Sequence, residues 1–197
     1  MKGPEVSVEA FVINGEINII QITDKITTGA PYFVEMGHTQ PSSLPNDIQS
    51  QIKKVAIKGI QALNINKGPA HIEIKVTEQG PKIVEIGARL GGDHITTDLV
   101  PLSTGVNMVE LTVKNALNCP VDINKMFLKS AAIRYISDEL EIPDKFKTKV
   151  TYYFNKNMQL SEIKSSNDRR GYYIIQTMNL DELDSVVSEI QRINERR

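Results

Sequence analysis

Two pairs of alternating runs that meet at turn signals constrain the fold of this chain more than any other feature. From Val6 to Ile13 apolar and polar residues alternate, and the run ends at Asn14-Gly15, the strongest two-residue signal for a β-hairpin. Two further alternating runs, His71 to Thr77 and Lys82 to Ile86, flank a second turn at Glu78-Gln79-Gly80-Pro81. Antiparallel strands that are neighbours in sequence therefore form the framework of the predicted fold.

The segments between these hairpins predict one strand, one loop and one helix. Glu16 to Thr23 is the predicted return strand of the first hairpin. Thr27 to Pro45 contains many glycines and prolines, which predicts a long connecting loop. Asn46 or Asp47 can cap a helix that ends before Gly68-Pro69. Its apolar residues recur at three-and-four spacing: Ile48, Ile52, Val55, Ala56, Ile60 and Leu63.

The remaining elements complete an α+β chain. A helix is predicted over Val106 to Leu117, and a closing helix over Asp181 to Ile193. Three more strands are predicted between them: Leu128 to Ile136, Val150 to Phe154 and Gly171 to Met178. We expect residues 1–125 to form an antiparallel sheet with helices packed on it, and residues 126–197 to form a separate small α/β lobe.

Composition and charge exclude several classes of protein. Hydrophobic residues make up 40% and charged residues 24%, as in a folded globular domain. A net charge of -1 and a pI near 6.3 supply no electrostatic attraction to nucleic acid or anionic lipid. No run approaches the ~20 apolar residues that a membrane span requires. The single cysteine, Cys119, excludes an intrachain disulfide, which favours a reducing, cytoplasmic location.

Two acidic residues in the second hairpin form a candidate metal site. A turn at Gln79-Gly80 places Glu73 and Glu85 nearly opposite each other on neighbouring strands. Like charges in that position destabilise a hairpin unless a cation neutralises them, and Mg²⁺ prefers carboxylate and phosphate oxygens. Arg89 follows at the exit of the strand, where a guanidinium could bind a phosphoryl group or a substrate carboxylate.

The same spacing also fits a strand face that does no chemistry. On that interpretation Glu73 and Glu85 are solvated residues with Lys75 and Lys82 as neighbours, and no metal binds. Alternating glutamate and lysine are what a water-exposed strand face usually carries. Spacing alone therefore leaves both interpretations open.

Four segments together resemble one known family. Val84-Glu85-Ile86-Gly87-Ala88-Arg89-Leu90-Gly91-Gly92 resembles the metal-binding strand of ATP-grasp enzymes, particularly the L-amino acid ligases, with carbamoyl phosphate synthetase and biotin carboxylase as more distant relatives. The stretch from Gly3 to Gly15 is similar to the first hairpin of the second ATP-grasp subdomain, and Tyr32 to Pro41 to the loop that follows it. Ser166 to Val187 resembles the carboxy-terminal lobe. The resemblance covers nearly the whole chain and implies this fold.

The resemblance assigns nucleotide and metal roles to five residues. By position, Glu73 and Glu85 correspond to the carboxylates that bind Mg²⁺, or Mn²⁺ in its place. Arg89 corresponds to the catalytic arginine that stabilises the phosphoryl group. Glu9 falls where relatives keep an acidic residue facing the nucleotide cleft, and Lys25 where some keep a phosphate-directed cation. One departure is Gly87, which stands where many members have an asparagine ligand, so a second metal ion is less fully held.

The resemblance also implies a pocket for the substrate. His38 falls where amino acid ligases place a histidine that lines this pocket, with Glu35 beside it, and Arg89 reaches the same substrate. The alternative for His38 is a loop histidine that caps a turn. His71 is interpreted as a strand histidine, and His94 as a residue that flanks the pocket.

The implied activity is ATP-dependent joining of a carboxylate to an amine through an acyl phosphate, with amino acids as candidate substrates. The amino-terminal half of the family, with its glycine-rich phosphate loop, should precede Glu73 and has no counterpart here, so we expect a fragment that needs that half as its partner. A homodimer is a further expectation. Two alternatives stay open: a bicarbonate-using enzyme of the carbamoyl phosphate synthetase or biotin carboxylase type, and a non-catalytic module with an ATP-grasp fold.

Overall fold

Eight strands form one antiparallel sheet in the computed structural model, which describes residues 1–195. In chain order the strands are β1 (Glu5–Ile13), β2 (Glu16–Thr27), β3 (Glu35–Gln40), β4 (Gly68–Thr77), β5 (Gly80–Gly87), β6 (Ser130–Ile136), β7 (Val150–Phe154) and β8 (Gly171–Thr177). Across the sheet they run in the order β5-β4-β1-β2-β3-β6-β8-β7. Both predicted hairpins, β1–β2 and β4–β5, are therefore confirmed.

Helices cover both faces of this sheet. They are α1 (Asn46–Ala62), α2 (Val100–Thr104), α3 (Met108–Ala116) and α4 (Leu180–Asn194), and a π-helical turn over Ile95–Leu99 leads into α2. Short 3₁₀ turns lie at Asp144–Phe146 and Ser166–Asp168. We call the face that packs against α1 and α4 the back face, and the opposite one the front face. The predicted class, α+β with helices packed on an antiparallel sheet, is confirmed.

The back face contains the larger apolar cores because alternate residues of each strand point to it. On β1 these residues are Val6, Val8, Ala10 and Val12, which pack against the buried face of α1. Full burial of one such aliphatic side chain contributes about 1.5–3 kcal/mol. At the other end of the sheet α4 buries the four residues that its periodicity predicts: Leu183, Val186, Val187 and Ile190.

The front face is apolar only where helices or the π-helical turn cover it. Phe11 and Ile20 pack under α2 and α3, against Val100 and Met108. Farther along the sheet, Ile133 of β6 packs with Leu99 at the end of the π-helical turn, in a separate cluster. Between these two clusters the strands present charged side chains, and the candidate site lies there.

The prediction of a loop over Thr27 to Pro45 was wrong in part, because β3 lies inside it and β2 extends to Thr27. β3 pairs with β2 and also with β6, so it joins the two parts of the sheet. Its sequence, Glu-Met-Gly-His-Thr-Gln, has no apolar alternation, since the strand buries polar side chains such as His38 and Gln40. His38 is therefore a strand residue and does not cap a turn.

Other boundaries differ in smaller ways. Pro45 occupies the N-cap position of α1 without a capping side chain, so neither Asn46 nor Asp47 has the predicted capping role. The π-helical turn and α2 were not predicted, because they follow a glycine-rich stretch and are only five residues each. By contrast, Asn179 caps α4 by accepting a hydrogen bond from the backbone N–H of Glu182.

The predicted boundary at residue 125 falls between α3 and β6. Strands on both sides of it belong to one sheet through the β3–β6 pairing. Folding of residues 126–197 as a separate lobe stays a prediction. Within residues 1–195, no helix has the length and apolar character needed to cross a membrane.

Candidate functional site

Lys25 is the centre of an ion network on the front face. Its Nζ lies 3.0 Å from Glu5 Oε1, 2.7 Å from Glu35 Oε1 and 2.9 Å from Glu73 Oε1, and its side chain is 3% exposed. Burial by itself would lower the pKa of Lys25, but hydrogen bonds and charges from Glu35 and Glu73 outweigh burial and raise it. Lys25 is therefore a permanent cation that is shared by three carboxylates.

A buried histidine on β4 links this network to Glu9 on β1. His71 Nδ1 lies 2.6 Å from Glu9 Oε1, and His71 Nε2 lies 3.6 Å from Glu73 Oε1. Burial opposes the charged imidazole, yet the nearby carboxylates of Glu73 and Glu9 raise the pKa of His71 to about 9. In turn, the nearby His71 lowers the pKa of Glu73 to about 2, an effect that burial opposes and Lys25 reinforces. The imidazole of His71 and the carboxylate of Glu73 are thus both charged at neutral pH.

The glycine-rich segment closes over the Glu9–His71 pair. A Cβ at Gly91 would lie 2.7 Å from His71 Nδ1 and 2.9 Å from Glu9 Oε2, so a glycine is needed at this position for the close approach. Thr96 Oγ1 donates a hydrogen bond to the Gly91 carbonyl at 2.6 Å and fixes the segment there. Glu9, which was predicted to face the nucleotide cleft, is fully buried beneath this glycine-rich segment.

Glu73 and Glu85 are register partners on β4 and β5, so the predicted cross-strand pairing is confirmed. Glu73 is half-buried and contacts Lys25, whereas Glu85 is 58% exposed and lies 3.2 Å from Arg89 Nη2. Arg89 is itself 52% exposed. One carboxylate of the pair therefore belongs to the buried network, and the other is accessible at the edge strand together with a guanidinium.

A second group of side chains lies on the other side of Lys25. His38 is completely buried, with its Nε2 3.9 Å from Glu35 Oε2 and 3.6 Å from Asp93 Oδ2. Among residues 1–195, neither ring nitrogen of His38 has a hydrogen-bond partner. The structure thus places Glu35 and His38 together, as the resemblance implies, and adds Asp93 to them.

Arg169 anchors this group to the carboxy-terminal part of the chain. Its Nη1 and Nη2 donate to the two carboxylate oxygens of Asp93 at 2.8 and 2.9 Å, and Nη1 also donates to the Glu35 carbonyl at 3.0 Å. The guanidinium lies 3.7 Å from the centre of the Tyr135 ring. Burial would raise the pKa of Asp93, but the hydrogen-bonded Arg169 guanidinium holds it well below its usual range.

Sequence reasoning did not assign roles to Asp93, Arg169 and Tyr135. Asp93 and Arg169 are 76 residues apart, and no local pattern links them. One local signal exists: Asp93 and the next residue, His94, both have a positive φ, which is uncommon outside glycine and often marks functional turns. His94 itself points elsewhere, to Asp98 at 2.8 Å and against the ring of Tyr172.

A cavity of about 290 Å³ opens beside Lys25. Its lining comes from charged side chains of the front face, from the β2–β3 connection and from residues 164–166. Residues on its wall include Glu5, Lys25, Phe33, Glu35, Glu73 and Ser165. A small polar molecule could therefore reach the network from this side.

This geometry lies within a stretch of the chain that has known counterparts. Residues 1–98 match the family model described as the ATP-grasp domain, and they include Lys25, the Glu73–Glu85 pair and Arg89. Residues 1–98 of the chain therefore belong to the ATP-grasp family. The crystal structure of an L-amino acid ligase from Bacillus licheniformis has the same fold, with a TM-score of 0.81 and 22% identity over 98% of this chain and 53% of that chain.

Two of the curated relatives are a synthase and a ligase by name. Carnosine synthase 1 from Gallus gallus is 30% identical over 118 residues, which cover 60% of this chain and 13% of that protein. Alanine–anticapsin ligase from Bacillus subtilis (strain 168) is 29% identical over 107 residues, 54% of this chain and 22% of that protein. The chain spans about half of the solved ligase and less than a quarter of these two relatives.

Ion pairs connect four of the seven predicted site residues into one network: Glu9, Lys25, Glu35 and Glu73. His38 lies next to Glu35, while Glu85 and Arg89 pair with each other at the edge of the sheet. The nitrogen of Lys25 is directed at carboxylates, and its role toward phosphate stays a prediction. The catalytic, metal and substrate roles of the other six residues stay predictions as well.

Proposed function

We propose that this ATP-grasp chain forms the carboxy-terminal part of a ligase that joins a carboxylate to an amine at the expense of ATP. The observation that carries the proposal is the Glu73–Glu85 pair, which lies across two strands of the matched domain with Arg89 at the strand exit. Two carboxylates that face each other across neighbouring strands, one of them accessible beside a guanidinium, suit the binding of a metal and a phosphate together.

The donor atoms fit Mg²⁺, with Mn²⁺ as a substitute. Glu73 and Glu85 would hold the ion, because hard divalent cations select carboxylate oxygens. Both carboxylates already have a cationic partner, Lys25 for Glu73 and Arg89 for Glu85, which indicates that a positive charge is favourable at each. When bound, Mg²⁺ neutralises charge on the phosphates of ATP. His71 and Lys25 together keep Glu73 ionised.

The reaction that we propose has two steps. A substrate carboxylate oxygen attacks the γ-phosphorus of ATP, the bond to the bridging oxygen breaks, and ADP leaves. The amine then attacks the acyl carbon of the resulting acyl phosphate, phosphate leaves, and an amide remains after loss of a proton. Arg89 would stabilise the charge on the transferring phosphoryl group and on the acyl phosphate.

The substrate class that we propose is amino acids. The names of the relatives include an L-amino acid ligase and an alanine–anticapsin ligase. Glu35 and His38 offer acceptor atoms near one another, and an amino group needs such acceptors. Arg169 holds the backbone of Glu35 and the carboxylate of Asp93, so this end of the cavity is rigid.

The test is ATP-dependent ligation by this chain and by the chain extended with the upstream coding sequence. Glu85→Ala should lower the rate of amine-dependent phosphate release by about 10²-fold or more, since it removes a metal ligand and the partner of Arg89. Glu78→Ala is the matched control, because Glu78 is exposed at the turn of the same hairpin. Its activity should equal that of the unchanged protein.

Three outcomes would contradict the proposal. Full activity in Glu85→Ala would remove the metal assignment. Bicarbonate-dependent phosphate release without an amino acid would favour a carboxylase-type enzyme instead. No ATP hydrolysis with any amine, even in the extended protein, would favour a non-catalytic module.

A further inference from the structure

The ligase proposal leaves the imidazole of His38 without a partner in the protein. Its side chain is completely buried, and within the described part of the chain both of its nitrogens lack a hydrogen bond. An unsatisfied buried polar group costs about 1–3 kcal/mol. His38 also lies between two carboxylates, and this arrangement suits a ligand that accepts the lone pair of the imidazole.

The three nearest donor atoms have the spacing of a metal site. One carboxylate oxygen of Glu35, one of Asp93 and a ring nitrogen of His38 all lie within 4.8 Å of one another. His38 Nε2 is 3.9 Å from Glu35 Oε2 and 3.6 Å from Asp93 Oδ2. Zinc bonds of about 2.0–2.1 Å in a tetrahedron separate ligand atoms by roughly 3.3 Å. Small side-chain rotations would close the difference.

The other contacts of these carboxylates fix the orientation of the ligands. Lys25 Nζ contacts Glu35 Oε1 at 2.7 Å, which leaves Glu35 Oε2 directed toward His38. Arg169 binds both oxygens of Asp93, and the second lone pair of Asp93 Oδ2 is left for a ligand. Metal-ligating carboxylates are commonly held by hydrogen bonds of this kind.

The surrounding network has an excess of negative charge. Four carboxylates, those of Glu5, Glu35, Glu73 and Asp93, share three cations, Lys25, Lys75 and Arg169, so the sum of 3 and −4 is −1. The adjoining pair of His71 and Glu9 adds one positive and one negative charge. A net negative charge in a largely buried region is unfavourable unless a cation neutralises it.

We propose that Glu35, His38 and Asp93 bind a late first-row divalent metal ion, for which Zn²⁺ is the representative. The imidazole ligand selects Zn²⁺, Co²⁺ or Ni²⁺ over Mg²⁺, which takes oxygen ligands only. The site is therefore distinct from the Glu73–Glu85 pair in position and in metal preference, and it does not depend on ATP chemistry. A metal ion there occupies the space that the ligase proposal assigns to the amino substrate, so the two compete.

The test is a titration of the complete chain with Zn²⁺ alone, followed by calorimetry, and with Co²⁺ alone, followed by its visible absorption. Both use a Cys119→Ser background, because the exposed thiol of Cys119 is itself a zinc ligand. His38→Gln removes the proposed nitrogen ligand. His94→Gln is the matched control, since His94 also lies beside a carboxylate, that of Asp98, but outside the cluster.

We expect saturation at one equivalent of Zn²⁺ and a tetrahedral absorption spectrum with Co²⁺. His38→Gln should weaken binding at least ~10-fold, as the loss of a metal ligand does, whereas His94→Gln should bind within about twofold of the background protein. Asp93→Asn provides a second variant, which keeps the shape of the side chain and should weaken binding similarly. Circular dichroism of each variant confirms that it is folded before the titration.

The result that would overturn the proposal is Zn²⁺ binding that is absent, or that is equal in the background protein and in the folded His38 and Asp93 variants. Loss of bound Zn²⁺ in excess Mg²⁺ would also overturn it, since the site would then have no preference for nitrogen ligands. Binding of alaninamide without binding of Zn²⁺ would overturn the metal site but leave the ligase proposal standing. Conversely, Zn²⁺ binding in a protein without ligase activity would support the metal site and contradict the ligase proposal.

Discussion

The two faces of β1 are stabilised in different ways, because alternate residues of the strand point to opposite faces of the sheet. Toward the back, Val6, Val8, Ala10 and Val12 join an apolar core under α1. Toward the front, Glu5 and Glu9 are paired with charged partners from β2 and β4. Packing stabilises the back face, and its energy adds up over many contacts. Pairing of opposite charges stabilises the front face, so the loss of one partner leaves like charges that repel one another.

This contrast explains why the site lies where it does. Helices cover the front face at both ends, and the charged strip remains between them. A folded protein gains little from a buried ion network compared with an apolar core of the same volume. The proposed binding roles would account for the charges that the front face retains at the expense of some stability. The following experiments test that contrast.

The largest effect on stability is expected from Lys25→Met, which removes the shared cation of three carboxylates and keeps an unbranched apolar side chain that is one heavy atom shorter. Breaking a buried ion pair from one side costs about 3–5 kcal/mol. Urea unfolding at neutral pH measures the free energy of unfolding. Lys75→Met is the control, since Lys75 is more exposed than Lys25 and forms its ion pair with Glu5, at 3.2 Å. Equal midpoints for the two variants would show that Lys25 has no central role.

The matching experiment on the back face is Ile72→Ala, at a fully buried residue of β4. It should cost about 2–5 kcal/mol because it leaves a cavity in the core, whereas Ile72→Val should cost only about 0.5–1.5 kcal/mol. The same unfolding assay measures both. Unlike Lys25→Met, neither variant should change the dependence of stability on pH. A pH profile altered by Ile72→Ala would mean that the two faces are coupled.

A third experiment uses pH, since His71 has a pKa of about 9 in the folded protein against 6.5 unfolded. A raised pKa stabilises the fold fully below pH 6.5, and this contribution disappears as the pH rises through 9. The loss amounts to up to about 3 kcal/mol. Unfolding free energies at several pH values across that window measure it. His71→Gln should be less stable at pH 6.5 and flat above it, and an unchanged slope would contradict the assignment.

The smallest effect is expected from Gly91→Ala. The added Cβ would contact His71 Nδ1 and Glu9 Oε2 well inside normal separation, so the segment must shift, at about 1–3 kcal/mol. Gly92→Ala is the control, since a Cβ there meets nothing within 4 Å, and it should lie within about 0.5 kcal/mol of the unchanged protein. Thermal unfolding distinguishes them. If both variants melt alike, the glycine does not provide a required close approach.

Much of the strand framework could be predicted because its signals are local. The alternation and the turns at Asn14-Gly15 and Gln79-Gly80 predicted both hairpins, and the register of the second placed Glu73 opposite Glu85. The apolar periodicity of α4 predicted its buried face. In each case a residue within a few positions supplies the interaction, so the pattern is visible in the sequence.

The central strand could not be predicted for the opposite reason. β3 buries His38, Thr39 and Gln40 against groups from β2, α2 and β6, none of them near in sequence. Polar burial of this kind removes the apolar alternation that indicates a strand. The strand that joins the two parts of the sheet was therefore predicted to be part of a loop.

The sequence by itself determined the antiparallel hairpins, the helical faces and the paired carboxylates, since these depend on periodicity and turn geometry over a few residues. Only the tertiary structure decided which charges share a site. Lys25 meets Glu73 from 48 residues away, and Asp93 meets Arg169 from 76 residues away. The physical reason is that charge pairing depends on distance in space and has no period along the chain. The ion network, and the metal site proposed within it, emerge only when the strands assemble.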